Sequence, residues 1–116
     1  MQAGESEKLV EAHLVRRLHA IGGKAYKWVA PGNAGVPDRI CLFPGGGIEL
    51  VELKGAGGAL TPSQKKRFPE LLRLGCRVWV LRSRNQVDRF LAFMGGDHDA
   101  VCAASLPGLL YRPPAD

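Results

Sequence analysis

A β-hairpin pattern in the middle of the chain constrains the fold more than any other feature. Residues Asp38–Phe43 and Ile48–Lys54 each predict a strand, and Pro44-Gly-Gly-Gly47 between them is typical of a turn. Because side chains alternate along a strand, Glu52 and Lys54 share one face of the second strand. The hairpin therefore carries a mainly apolar face that ends in a carboxylate and an ammonium.

Two further strands and three helices are predicted around this hairpin. Apolar residues recur at helical spacing in three segments, and Ser, Thr and Gly residues mark where those segments begin and end. The resulting order is α-β-β-β-α-β-α, which predicts an α/β domain with a small sheet flanked by helices. The elements are a helix over 7–21, a strand over 25–30, a helix that Thr61 caps and Gly75 ends, a strand over 76–82 and a helix that Ser83 caps and Gly95-Gly96 ends.

The second helix has the most specific start signal in the chain. Thr61-Pro62-Ser63-Gln64 combines a capping threonine, a proline at the first helical position and a glutamine that closes a capping box. Ser83 and Gln86 repeat the capping pattern at the third helix. Pro69 lies inside the second helix and is predicted to kink or loosen it.

Length and composition exclude several classes of protein. At 116 residues the chain is long enough for one domain. It has no apolar run of the roughly 18 residues that a membrane span needs, and no signal core at the N-terminus, so we expect a cytoplasmic protein. Cys41, Cys76 and Cys102 are odd in number, far apart in sequence and form no C-x-x-C, so the sequence supports neither a zinc site nor a disulfide framework. We expect the domain to cover residues 1–96 and residues 97–116 to form a C-terminal tail or loose extension.

Positive charge is concentrated in the second half of the chain. The net charge is +5 for the whole chain, but +6 for residues 60–95 alone. Such an excess favours a polyanionic partner, since phosphate contacts supply most sequence-independent affinity for nucleic acid. The alternative is an ordinary solvated surface. The candidate DNA contacts are Lys24, Lys27, Arg39, Lys65, Lys66 and Arg67.

Three charged residues are predicted to meet at one end of the hairpin. The start of the first strand lies opposite the end of the second, which brings Asp38 close to Glu52 and Lys54. Two carboxylates and a nearby backbone carbonyl suit a hard divalent cation such as Mg²⁺. The lysine could orient or help deprotonate an attacking water and stabilise phosphoryl charge. A turn-capping aspartate beside an ordinary Glu–Lys pair is the purely structural alternative.

These residues also match a known pattern. Pro37-Asp38 followed by Glu52-Leu53-Lys54 is the PD-(D/E)xK nuclease signature. With Gly35-Val36 before it and Leu60-Thr-Pro-Ser-Gln64 and Leu74-Gly75 after it, the chain resembles the VRR-NUC family, in particular its small stand-alone members from phages and prophages. The resemblance covers roughly residues 7–94. It implies a restriction-endonuclease-like αβββαβ(α) core in which a mixed sheet is flanked by helices.

The resemblance assigns roles within the site. Asp38 and Glu52 would bind the metal with the carbonyl of Leu53, and Lys54 would serve the attacking water. The family also implies a catalytic glutamate on the first helix. Glu11 fits that role by its distance from the end of the helix, whereas Glu7 fits better by helical face, and we favour Glu11. Gln64 resembles a helix-borne glutamine of the family near the site, although it could also simply close the capping box.

The implied activity is Mg²⁺-dependent hydrolysis of DNA phosphodiester bonds, with Mn²⁺ as a substitute. Stand-alone members are associated with branched DNA, especially Holliday junctions, and act as homodimers. A two-fold dimer suits a junction that needs two cuts, and Trp28 and Trp79 could supply an interface. The alternatives are a non-catalytic DNA-binding module of the same fold, and a nuclease subunit targeted by a helicase or a phage replication or recombination protein.

Overall fold

The computed structural model describes residues 4–95 and 106–113. The first seven elements follow the predicted order, with bounds that shift by no more than three residues, and a short helix follows them. The α/β fold class is therefore confirmed. The elements are α1 (Glu7–Ala20), β1 (Lys24–Lys27), β2 (Arg39–Leu42), β3 (Ile48–Leu53), α2 (Pro62–Arg73), β4 (Val78–Leu81), α3 (Arg84–Met94) and α4 (Leu106–Leu109).

The four strands form one mixed sheet in the order β1-β2-β3-β4. Strands β1, β2 and β3 are antiparallel neighbours, and β4 joins β3 in parallel. A parallel neighbour requires a crossover, and α2 provides it between β3 and β4. The register pairs Arg39 with Val51, so the residues just beyond this pair lie at the end of the hairpin that carries Asp38 and Glu52.

Two hydrophobic clusters cover the two faces of the sheet. On one face, α1 and α3 pack against Val51, Leu53 and Leu81. On the other face, Phe68 and Leu71 of α2 pack on a second cluster whose strand members are Leu50, Val78 and Val80. Glu52 and Lys54 follow Leu50 by two and four residues, so their side chains share its face and lie on the α2 side of the sheet.

The predicted caps form, with one difference. Thr61 and Gln64 make the complete capping box of α2, and that helix continues through Pro69. At α3 the Ser83 hydroxyl accepts from the backbone amide of Gln86 as expected, but the Gln86 side chain accepts from the amide of Arg82, one residue before the cap. The side chain thus secures the end of β4 as well as the start of α3.

Residues 106–113 are not a loose extension. The amide of Tyr111 donates to the carbonyl of Val78 over 2.7 Å, and Leu110 forms a bridge with Trp79. Leu109 is buried in the cluster on the α1 and α3 side. The sequence pattern missed this packing because single apolar residues among prolines show no period. Residues 96–105, which include Cys102, lie outside the described residues. A domain boundary at residue 96 stays a prediction.

Trp79 is placed differently from one sequence expectation. It is only 1% exposed, packs on Phe90 and donates from its indole nitrogen to Glu49 over 2.8 Å. A residue so completely enclosed by its own chain is not available to an interface. None of the helices in the described parts of the chain has the length and hydrophobicity needed to span a bilayer.

Candidate active site

Asp38 and Glu52 hold each other at the end of the hairpin. The backbone amide of Asp38 donates to Oε1 of Glu52 over 3.1 Å, and the amide of Leu53 donates to Oδ2 of Asp38 over 2.9 Å. Each carboxylate is thus fixed by the strand that carries the other one. The two strands bring the acids together as the hairpin geometry predicts.

Glu52 is a buried carboxylate with donors on both oxygens. The residue is 2% exposed, and its Oε2 accepts from Nε2 of Gln64 over 2.6 Å. Burial raises the pKa of Glu52, and the neighbouring charge of Asp38 raises it further. Hydrogen bonds from Gln64 and Lys54 act in the opposite direction by stabilising the ionised form.

Lys54 completes the polar cluster from the same strand. Its ammonium lies 3.1 Å from Oε2 of Glu52, and its side chain is 10% exposed. Its backbone amide donates to the carbonyl of Leu81 over 3.0 Å, which extends the β3–β4 pairing by one residue. This hydrogen bond holds the backbone of Lys54 at the end of the sheet, while its long side chain reaches Glu52.

Gln64 has two roles at once. Its Oε1 accepts from the backbone amide of Thr61 over 2.9 Å, which closes the capping box of α2. Its Nε2 faces the opposite way and donates to Glu52. The cap and the contact to the acidic pair therefore use different atoms of one amide, and neither interpretation of this residue excludes the other.

The donors present fit a hard divalent cation. Oδ1 of Asp38 has no hydrogen-bond partner among residues 4–95 and 106–113, so it is available to a ligand. The amide and carbonyl of one strand residue point to the same side, so the Leu53 carbonyl points toward Asp38 as its amide does. No group of three or more His, Cys, Asp or Glu side chains is placed to hold a metal within these residues. A cation here would therefore take its third protein oxygen from the backbone.

The glutamates of α1 are not part of this cluster. Oε2 of Glu11 accepts from Nε of Arg39 over 3.0 Å, and Nη2 of the same guanidinium lies 2.9 Å from the same oxygen. Glu7 is exposed at the first turn of α1, beside the backbone of Gly55. The pair Glu11–Arg39 instead connects α1 to the residue that follows Asp38. Which glutamate serves the site stays a prediction.

The six candidate DNA contacts fall into two groups. Arg39 is committed to Glu11 and to the carbonyl of Ala25, and its side chain is only 16% exposed. Arg67 donates to the carbonyl of Ala34 and forms a 2.6 Å ion pair with Glu70. The two arginines thus hold protein groups in this structure. The exposed members are Lys24, Lys27, Lys65 and Lys66.

The loop before Asp38 is pressed against the start of α2. Gly35 has φ +90°, and a Cβ there would overlap the carbonyl of Ser63 and lie 2.9 Å from the amide of Gln64. Arg67 holds the same loop through Ala34. Because only glycine fits this contact, it joins the loop that carries Asp38 to the helix that carries Gln64. The motif contained this glycine, but its spacing could not show what it contacts.

A buried carboxylate paired with a half-exposed arginine on the other face of the sheet escaped the sequence reasoning. Glu49 is 7% exposed, accepts from the indole of Trp79 and is paired with the guanidinium of Arg77. The available signal was its position, since Glu49 precedes the core residues Val51 and Leu53 by two and four residues and so shares their face of β3. A carboxylate in a core-facing position needs a partner, because an unpaired buried charge is costly.

Comparison with known proteins identifies the family to which this fold belongs. The VRR-NUC domain profile matches residues 2–85, so the chain belongs to the VRR-NUC family. The chain is 46% identical over 79 residues to "Putative nuclease p44" of Acyrthosiphon pisum secondary endosymbiont phage 1, which covers 68% of this chain and 85% of that protein. It also resembles a solved structure described as "VRR_NUC domain", with a TM-score of 0.67, 28% identity, and coverage of 75% of this chain and 96% of that one.

Proposed function

We propose that the protein is a divalent-metal-dependent endodeoxyribonuclease that hydrolyses DNA phosphodiester bonds. The observation that carries the proposal is the contact of Asp38 with Glu52 in the buried cluster that also holds Lys54. Membership of the VRR-NUC family and the similarity to a phage protein with a nuclease name support it. A structural turn cap beside a surface ion pair would not need a glutamate that is 2% exposed.

The side chains divide the chemical work. Asp38, Glu52 and the Leu53 carbonyl would hold Mg²⁺, or Mn²⁺ in its place. When bound, such an ion neutralises charge on the phosphate and makes a coordinated water more acidic. Lys54 orients the attacking water and stabilises the negative charge that develops on the phosphoryl oxygens. Gln64 keeps Glu52 in the orientation that binds the cation.

Glu11 is proposed to act through Arg39. The guanidinium links Glu11 of α1 to the Ala25 carbonyl, and the backbone of Arg39 directly follows Asp38. This arrangement makes Glu11 a positioning residue for the start of β2. Glu7, at the first turn of the same helix, is the alternative carboxylate.

We further propose that the DNA is branched, with the Holliday junction as the leading candidate, and that the protein acts as a homodimer. A junction has two-fold symmetry and needs two cuts, which two symmetry-related sites can supply. The exposed Lys65 and Lys66 lie on α2 just beyond Gln64, where they can contact phosphates near the site.

A cleavage panel tests this function. The purified protein is incubated with junction, flap, fork, single-stranded and linear duplex DNA in Mg²⁺, Mn²⁺ or EDTA, beside Asp38→Asn. We expect cleavage of branched DNA that requires the metal and Asp38. Metal-independent binding without cleavage of any substrate would instead identify a non-catalytic binding module. Cleavage that appears only with a helicase or a phage protein would identify a subunit that depends on a partner.

A further inference from the structure

We propose that strand β1 carries a binding surface for unpaired nucleotides, formed by Lys24, Tyr26 and Trp28 and here called the β1 strip. The inference rests on the proposed DNA-cleaving function for its biological meaning, although its test is independent of cleavage. The β1 strip lies on the same face of the sheet as the acidic pair, and it leads directly away from Asp38.

The register places the strip. Tyr26 is paired with Ile40 and Lys24 with Leu42, so these side chains lie on the face that carries Leu50 of β3. The amide of Trp28 donates to the carbonyl of Asp38 over 2.9 Å, which continues the pairing by one residue. Alternate residues of a strand are about 7 Å apart, so the two aromatic rings follow one another from the acidic pair outward.

Helix α2 covers the β1 strip less than it covers the rest of this face of the sheet. Helix α2 packs over the β3 and β4 half of the face, and Trp28 and Ile40 are partly buried against its cluster. Tyr26 stays 51% exposed, and Ile48, which lies in the same row as Lys24 and Leu42, stays 63% exposed. About half of the Tyr26 side chain is therefore accessible to a ligand.

The chemistry of the strip matches a nucleotide. The ammonium of Lys24 lies 5.0 Å from the centre of the Tyr26 ring. Both residues also line a surface cleft of about 400 Å³ with His19 and Leu42. An aromatic ring supplies a stacking surface for a base and the ammonium supplies a contact for its phosphate. Such stacking requires a base whose own face is free, so the surface favours unpaired nucleotides over a duplex.

The test measures binding in EDTA, where the chain cannot cleave with a divalent metal. Fluorescence anisotropy compares a labelled oligothymidylate with a duplex hairpin for the wild type, Tyr26→Ala and Tyr26→Phe. We expect Tyr26→Ala to weaken binding of the single strand by about fivefold to a hundredfold, and Tyr26→Phe to retain it. Duplex affinity should change far less. Leu74→Ala, at an exposed apolar residue that forms the C-cap of α2, is the matched control and should change neither affinity.

The salt dependence separates the two parts of the strip. Tyr26→Ala should leave the slope of log affinity against log salt unchanged, because stacking releases no counterions. Lys24→Gln should reduce that slope by about 0.7 for one lost phosphate contact. Trp28→Leu, which keeps an apolar side chain at the edge of the α2 cluster, should weaken the single strand as Tyr26→Ala does.

Two results would overturn the proposal. One is single-strand affinity within twofold of the wild type for Tyr26→Ala with an unchanged melting temperature. The other is a shift of Tyr26→Ala from dimer to monomer in light scattering while single-strand affinity per chain is kept, which would assign the surface to a second copy of the chain. Because no step depends on cleavage, an inactive protein whose affinity falls in Tyr26→Ala would refute the nuclease proposal and leave the β1 strip standing.

Discussion

Nε2 of Gln64 lies 2.6 Å from Oε2 of Glu52, so helix α2 fixes the orientation of a carboxylate that strand β3 carries. The same glutamine closes the capping box of α2 through its other amide atom. The start of this helix and the geometry of the acidic pair are therefore set by one side chain.

Gln64→Glu separates these two roles. A glutamate keeps an oxygen for the Thr61 amide, but it removes the donor to Glu52 and places a second carboxylate beside it. We expect cleavage to fall by about tenfold to a hundredfold, since a hydrogen bond to a charged group contributes about 1.5–3 kcal/mol. The loss of helix stability should be small, because the oxygen that accepts from the Thr61 amide is kept. Gln64→Ala should lower both, with about 1 kcal/mol lost from the free energy of unfolding. Wild-type cleavage by Gln64→Glu would show that the cap is the residue's only role.

Lys54→Ala should separate catalysis from binding. Loss of the ammonium removes charge stabilisation from the phosphoryl group, and we expect the rate of cleavage to fall by about a hundredfold to a thousandfold. Binding of branched DNA in Ca²⁺ should remain within a few fold and keep its salt dependence, because one buried lysine contributes little to phosphate contact. Lys8→Ala, an exposed lysine on α1, is the matched control. Equal losses of binding and cleavage would make Lys54 a binding residue only.

The sequence predicted the local parts of this site well. Thr61 and Gln64 are three residues apart, and the hairpin that joins Asp38 to Glu52 needs only a short turn, so their contacts follow from spacing. Contacts between distant elements do not follow in this way. Nothing in the order of residues shows that Arg39 meets Glu11 across 28 positions, so the sequence could not predict that this partly buried arginine forms an ion pair with α1.

The Glu11–Arg39 pair should be visible in stability. Both side chains are partly buried, and Glu11→Gln should lower the free energy of unfolding by about 1 kcal/mol, whereas Glu7→Gln at an exposed position should not. If Glu11 acts through Arg39, the double variant Glu11→Gln/Arg39→Gln should cleave no worse than Arg39→Gln alone. Thermal melting and single-turnover cleavage measure the two effects. A further loss of cleavage in the double variant would place Glu11 in direct contact with the reacting groups.

The raised pKa of Glu52 predicts how stability changes with pH in the absence of divalent metal. Burial and the charge of Asp38 disfavour the ionised form in the folded state. Protonation of Glu52 therefore contributes stability that is complete below the ordinary value of 4.5 and is lost as pH rises through the raised pKa. Glu52→Gln cannot titrate here and isolates this contribution. We expect the melting temperature of the wild type in EDTA to rise relative to Glu52→Gln on acidification. A difference in melting temperature between the wild type and Glu52→Gln that stays constant as the pH is lowered would contradict a raised pKa of Glu52.

Gly35 and Gly32 offer a matched pair for testing how the loop before Asp38 is held. Both glycines have positive φ, +90° and +79°, so an alanine at either position has a similar backbone cost, about 1 kcal/mol. Only at Gly35 would the added Cβ overlap the backbone of α2, because nothing lies within 4 Å of the corresponding position at Gly32. We expect Gly32→Ala to cleave nearly as well as the wild type, and Gly35→Ala to lose both stability and cleavage, since Asp38 and Gln64 could no longer keep their spacing. Melting curves and metal-dependent cleavage of one branched substrate compare them. Equal effects of the two substitutions would mean that backbone conformation alone explains this glycine, and that the contact with Ser63 does not position the acidic pair.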